Sequence, residues 1–158
     1  RGPTVKVLEW PLIEAAPEMA QALQIAAGDK VRKAVPRRST PAGPVSLITT
    51  YVPEALVQGF GRAELAAKPI LHLLQEAARE AGGAVQTVPP RQADAKVAAE
   101  LQVPVGAALL WVRRLVYDQQ ERPMQLLHGL YRPDRYEYQM ELSQVGAIDA
   151  RIVAKEVF

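Results

Sequence analysis

Apolar and polar positions alternate over residues 4–10, which also carry β-branched side chains, residues 45–52 are rich in β-branched side chains, and residues 31–38, 107–117 and 124–131 are further strand-length runs bounded by turn signals. Each predicts a strand. A shorter one is expected over residues 85–88 and a last one over residues 135–142. Pro36 removes a ladder donor, so the second strand is an edge or carries a bulge there. Ser39-Thr40-Pro41-Ala42-Gly43-Pro44 is a dense turn signal that joins it to the third strand as a hairpin. A different period, near 3.6, runs through Ile70, Leu73, Leu74, Ala77 and Ala78. It predicts the longest helix, residues 69–81, opened by Pro69 and stopped by Gly82-Gly83. Shorter helices are expected over residues 17–25, with Pro17 at the first position, and over 94–101, capped by Asp94. Residues 53–68 read as a linker with one or two helical turns, and residues 118–122 turn the chain between two long strands. This order gives an α+β class, a largely antiparallel sheet with helices on one side. Residues 1–145 make the domain, and residues 146–158 are a tail with no assignment.

Composition narrows the function classes. The 158 residues are one domain's worth, and 49% hydrophobic with 23% charged residues is ordinary for a soluble globular chain. A formal net charge of +2 does not by itself point to nucleic acid. The one tight basic cluster, Arg32, Lys33, Arg37 and Arg38, reads as a solvated face. Cysteine is absent, which excludes disulfides and thiolate chemistry and fits a reducing, cytoplasmic compartment. No apolar run approaches the roughly 20 residues that span a bilayer, so no membrane role is expected. The start, RGPTVKV, carries neither an initiator Met nor a signal peptide and reads as that of an excised domain.

Candidate chemistry is sparse. His72 and His128 lie far apart with no carboxylate at metal-ligand spacing. No glycine-rich loop joins a strand to a helix, and Ser39, Ser46 and Ser143 lack an elbow motif. No catalytic residue, metal or cofactor is expected. Arg113 and Arg114 point to opposite faces of one strand, and the less exposed of them needs a partner, either Asp118 or Asp134 or a ligand. On the returning strand Met124, Leu126, His128 and Leu130 share a mostly apolar face that reads as core. Gln125, Leu127, Gly129 and Tyr131 share the other. This mixture of amide, phenol and bare glycine suits a polar ligand cavity and equally a bulge beside a partly exposed face.

The ordered set of motifs resembles a known family. Ala93-Asp94 with Ala98-Ala99-Glu100-Leu101, then the turn over residues 103–110, then Arg114 and Tyr117-Asp118 follow in the family's order. Arg122-Pro123, Tyr131-Arg132 and Asp134-Arg135-Tyr136 close it, with Gly43-Pro44 and Tyr51-Val52-Pro53 upstream. This is similar to the effector-binding (UTRA) domain of GntR-type transcription regulators of the HutC branch, over about residues 4–142. The resemblance implies a chorismate-lyase-like fold, a homodimer and a pocket for a small-molecule effector. It also implies DNA binding only through a winged helix-turn-helix domain that would precede this chain and is absent from it. Carried over position by position, the effector-binding residues fall on Arg38, with Arg37 as a second candidate because Pro36 stands at the other arginine position, and on Ile48, Gln125 and Tyr131. Ile48 and Gln125 replace two carboxylates that would grip sugar hydroxyls or an ammonium. An anionic effector with an apolar part fits better. The competing readings are a chorismate-lyase-like enzyme and a structural dimerisation module with a vestigial pocket.

Overall fold

Pro36 divides the predicted second strand, and the division organises one edge of the sheet. β3 (Lys30–Ala34) and β4 (Pro36–Thr40) flank Val35, and both pair with the long strand β5 (Gly43–Pro53). The N-terminal segment divides with them: β1 (Thr4–Val7) pairs β4, and β2 (Leu12–Glu14) pairs β3. Between them the chain keeps contact through Leu8 N to Val35 O, Val35 N to Glu9 O and Lys33 N to Pro11 O, at 2.8–3.0 Å. The computed structural model describes residues 3–77, 79–142 and 150–156, with side chains through Glu137.

β6 (Ala81–Thr87), β7 (Pro90–Gln92), β8 (Ala108–Asp118) and β9 (Pro123–Tyr131) complete a nine-stranded sheet of order β1-β4-β5-β9-β8-β6, with every pairing antiparallel. The helices are α1 (Pro17–Leu23), α2 (Arg62–Ala67), α3 (Ile70–Ala77) and α4 (Ala95–Leu101). None is long and apolar enough to cross a membrane. α2 begins where the Glu64 carboxylate accepts from Gly61 N at 3.2 Å, and α4 where Asp94 accepts from Val97 N at 2.9 Å.

The α+β, antiparallel class expected from the sequence is the one observed. Its helices divide between the two faces. α1 and α4 cover the face that carries Leu47, Tyr51 and Leu126, while α2 and α3 pack on Ala34, Val52 and Val116 of the alternate face. The reason is visible in β5, where Pro44 to Leu47 are consecutively buried, so neither face of that strand is left to water.

Three further expectations change. Gly82-Gly83 do not stop the long helix, which ends by Ala77; they lie within β6, at a register shift opposite Asp118. β10 (Tyr136–Leu142) pairs not with β9 but with β11 (Ala150–Glu156), which lies in the stretch left without assignment. The boundary expected at residues 145 and 146 falls outside the described residues. Finally, neither Arg113 nor Arg114 pairs with Asp118 or Asp134. Arg114 Nε donates to Gln86 Oε1 at 2.6 Å, Asp118 is held by Arg122 (2.9 Å) and Arg79 (3.3 Å), and Asp134 by Arg132.

Candidate functional site

The registers of β4, β5, β9 and β8 align side chains in rows across the sheet. Arg38, Ser46, Tyr131 and Leu110 form one row; Ile48, Gly129 and Val112 form the next on the same face; Thr50, Leu127 and Arg114 form the third. Arg38, Ile48 and Tyr131 are therefore neighbours. Gln125 lies on the same face but six residues from Tyr131, a separation of about 20 Å along an extended strand. Arg37 points to the opposite face, where its Nη1 donates to Glu100 Oε2 at 3.1 Å.

The row face is polar: Arg38 is exposed at one end, Tyr131 is half-buried, and Ser46 and Gln125 are fully buried. Ser46 is 1% exposed and Gln125 2% exposed. Among the described residues the Ser46 hydroxyl has no hydrogen-bond partner, an arrangement that costs free energy unless a guest or water satisfies it. A methyl group on Gly129 would stand 2.7 Å from Tyr131 Cε1, so the tyrosine ring occupies the space the glycine leaves. The same ring stacks on Tyr136 at 4.1 Å between centroids. The Ser46 hydroxyl, flanked in the row by Arg38 and Tyr131, offers one donor and two acceptor positions for hydrogen bonding. Among the described residues no group of His, Cys, Asp or Glu could hold a metal ion.

The second face holds an open cleft of about 420 Å³. α1 rests on Tyr51, Leu115 and Leu126; α4 rests on Val35, Leu47 and Leu109. Leu47 and Tyr51 are four positions apart on β5, about 14 Å, and a helix with its side chains is only about 10–12 Å across. The row between them, Thr49 with His128, is left as a floor. Trp111 and Leu130 continue that floor, and Lys33, Arg91 and Lys96 stand at its margin. His128 meets Tyr51 edge-on at 6.1 Å and Trp111 at 6.0 Å. Burial, then the charges of Arg113 and Arg91, pull the His128 pKa below its ordinary value, so the ring is neutral at pH 7.

The two faces of β9 thus exchange the characters read from sequence. The face of Gln125, Leu127 and Gly129 is the buried one, and Leu126, His128 and Leu130 are half-buried. Ser46 is a row residue that the family's effector positions do not mark, although a serine aligned with Ile48 and Thr50 on a strand buried on both sides is a legible signal. The cleft residues carry no local signal, because they come from separate strands.

Residues 1–137 match the model of the UTRA domain. The fold is similar to that of a protein from Streptomyces coelicolor assigned as a transcriptional regulator, with TM-score 0.82, 26% identity, and 98% of this chain and 96% of that one covered. It is equally similar, at TM-score 0.82 and 28% identity over 90% and 92% of the two chains, to the ligand-binding domain of a protein from Bordetella bronchiseptica assigned to the GntR family of transcriptional regulators. The effector domain of PhnF from Mycobacterium smegmatis shares the fold at TM-score 0.76 and 22% identity, with 85% and 83% covered. No curated protein is significantly similar in sequence. Its sheet order, its paired helices and a domain model that matches all but the last 21 residues agree, and the chain belongs to the UTRA domain family.

Proposed function

We propose that this chain is the effector-binding domain of a bacterial GntR-type transcription regulator of the HutC branch, acting in the cytoplasm as a homodimer. It holds a small anionic effector against the row Arg38, Ser46 and Tyr131. The observation that carries the reading is the buried Ser46 hydroxyl, without a partner among the described residues, set between a guanidinium and a phenol beside a glycine. Arg38 supplies the charge for a carboxylate or phosphate. Ile48 and the room at Gly129 suit an apolar part, and Gln125 meets the far end of an effector long enough to lie along the strands. Arg37, turned to the other face, is the weaker of the two arginine candidates. The Tyr131 ring lies over Gly129, so an effector that uses the room at Gly129 displaces that ring. DNA binding belongs to the preceding winged helix-turn-helix domain, whose arrangement the effector biases only if it prefers one state.

The test is a thermal-shift screen against metabolite acids, sugar phosphates and short fatty acids, followed by calorimetric titration of the hits. A ligand at about 100 times its Kd stabilises the native state by roughly 2.7 kcal/mol, which for this length raises Tm by roughly 5–10 °C. Arg38→Ala removes a charge-assisted contact of about 1.5–3 kcal/mol, so Kd rises about tenfold to a hundredfold. Unchanged affinity in that variant removes Arg38 from the site. The Tyr131 ring over Gly129 also fits a dimerisation module whose pocket is permanently filled, and a stable dimer with no response across the whole panel establishes that reading instead.

A further inference from the structure

We infer that the cleft between α1 and α4 is a second small-molecule site, separate from the effector row, and that it takes a planar aromatic anion. Its volume of about 420 Å³ lies within the range of roughly 300–1,000 Å³ typical of ligand pockets. The floor is aromatic: Trp111, His128 and Tyr51 meet at centroid distances of 6.0 and 6.1 Å, with Leu47 and Leu130 as apolar walls. The charges at the margin are unevenly matched. Glu9 is shared by Lys33 (3.3 Å) and Lys96 (3.6 Å), and Glu100 is taken by Arg37 (3.1 Å). Arg91 and Arg113 lie 4.7 and 5.3 Å from the centre of the Trp111 ring, and among the described residues neither has a carboxylate at ion-pair distance. Two guanidiniums without a carboxylate partner beside a half-buried indole favour a carboxylate joined to a flat ring: the ring packs against Trp111, displacing a guanidinium from its face, and the carboxylate meets Arg91. Thr49, Tyr51 and neutral His128 make no side-chain hydrogen bond to a described residue, so their donors and acceptors are open to a polar substituent.

The probe is naphthoate, compared with uncharged naphthalene methanol, titrated calorimetrically into this chain. Naphthoate binds, and the alcohol binds about tenfold more weakly. Arg91→Ala, an exposed position, and Trp111→Leu each weaken naphthoate by about tenfold, while Arg38→Ala on the opposite face leaves it within about twofold. Arg91→Ala retains the fold, so its result stands even if the Trp111 variant unfolds. Three results overturn the assignment: no naphthoate binding at millimolar concentration, equal affinity for the alcohol, or loss in Arg38→Ala with none in Arg91→Ala. The last also moves the probe to the effector row, whereas failure of the effector screen leaves this cleft untouched.

Discussion

Gly82→Ala and Gly83→Ala, made side by side, test the placement of the double glycine in β6. A Cβ on Gly82 would stand 2.6 Å from Asp118 O, 2.9 Å from Asp118 C and 2.9 Å from Gln119 Cα, all backbone atoms. Ordinary contact needs about 3.4 Å or more, so a shift of about 0.8 Å is required. The β8 side does not yield readily. Asp118 N donates to Arg122 O at 2.8 Å, and the Asp118 carboxylate accepts from the Gln120 and Arg122 amides at 2.9 Å each. β6 has to move instead. It is an edge strand, so overpacking, about 1–3 kcal/mol in a closed core, falls in the lower half of that range. Both variants share the gain of about 0.5–1 kcal/mol from replacing a strand glycine by alanine. It cancels in the comparison, because nothing lies within 4 Å of a Cβ on Gly83. Gly82→Ala is therefore less stable than Gly83→Ala by about 1–2 kcal/mol, with a Tm lower by roughly 2–8 °C, read by circular dichroism on heating. Neither glycine has a positive φ, so no left-handed strain enters. If the two midpoints coincide, or Gly83→Ala melts first, the close approach of β6 to Asp118 is wrong.

Leu74, fully buried in the cluster of α3 with Val52 and Val116, costs about 2–5 kcal/mol as Leu74→Ala; urea unfolding shows this as a lower midpoint, and a loss below about 1 kcal/mol contradicts the packing. Asp94→Ala removes the acceptor of Val97 N (2.9 Å) and costs about 1 kcal/mol, and an unchanged unfolding curve rules out the cap. Burial raises the Asp118 carboxyl pKa, but the Arg122 and Gln120 amides and the Arg122 charge outweigh it and hold it below the ordinary 3.8. Its contribution is full above that value and is lost as pH falls through the lower folded pKa. Asp118→Asn accordingly flattens the stability profile below about pH 4, and parallel profiles defeat the argument. His128 has its pKa lowered from 6.5 by burial first and then by Arg113 and Arg91. The unfolded chain takes up the proton first, so stability declines as pH falls below 6.5. His128→Gln abolishes that part of the slope, and a slope kept in the variant assigns it elsewhere.

What the sequence made legible was membership of faces. Even spacing on one strand put Gln125, Gly129 and Tyr131 together whatever the tertiary structure, and the same rule put Ser46 with Ile48. Which face is covered, and by what, is decided by helices placed from distant parts of the chain. α1 and α4 are separated by 71 residues between Leu23 and Ala95, and they leave Thr49 and His128 uncovered only because they settle on rows four positions apart. No local pattern encodes that gap, so an alternation of Met124, Leu126, His128 and Leu130 reads as core although three of the four are half-buried. The glycine pair shows the opposite difficulty. A helix stop and a close strand approach both need a residue without Cβ, and only the pairing with β8 chooses between them. Proline is less equivocal about its own bond: without an N–H, Pro36 cannot donate to a ladder. Neither the expected edge nor a bulge at Pro36 is observed; β4 starts at Pro36 between β1 and β5, and the chain breaks at Val35, where β1 and β2 part to follow β4 and β3. Features that follow from one residue's covalent structure are therefore fixed locally. The cleft is not one of them, since it exists only where two helices fail to meet.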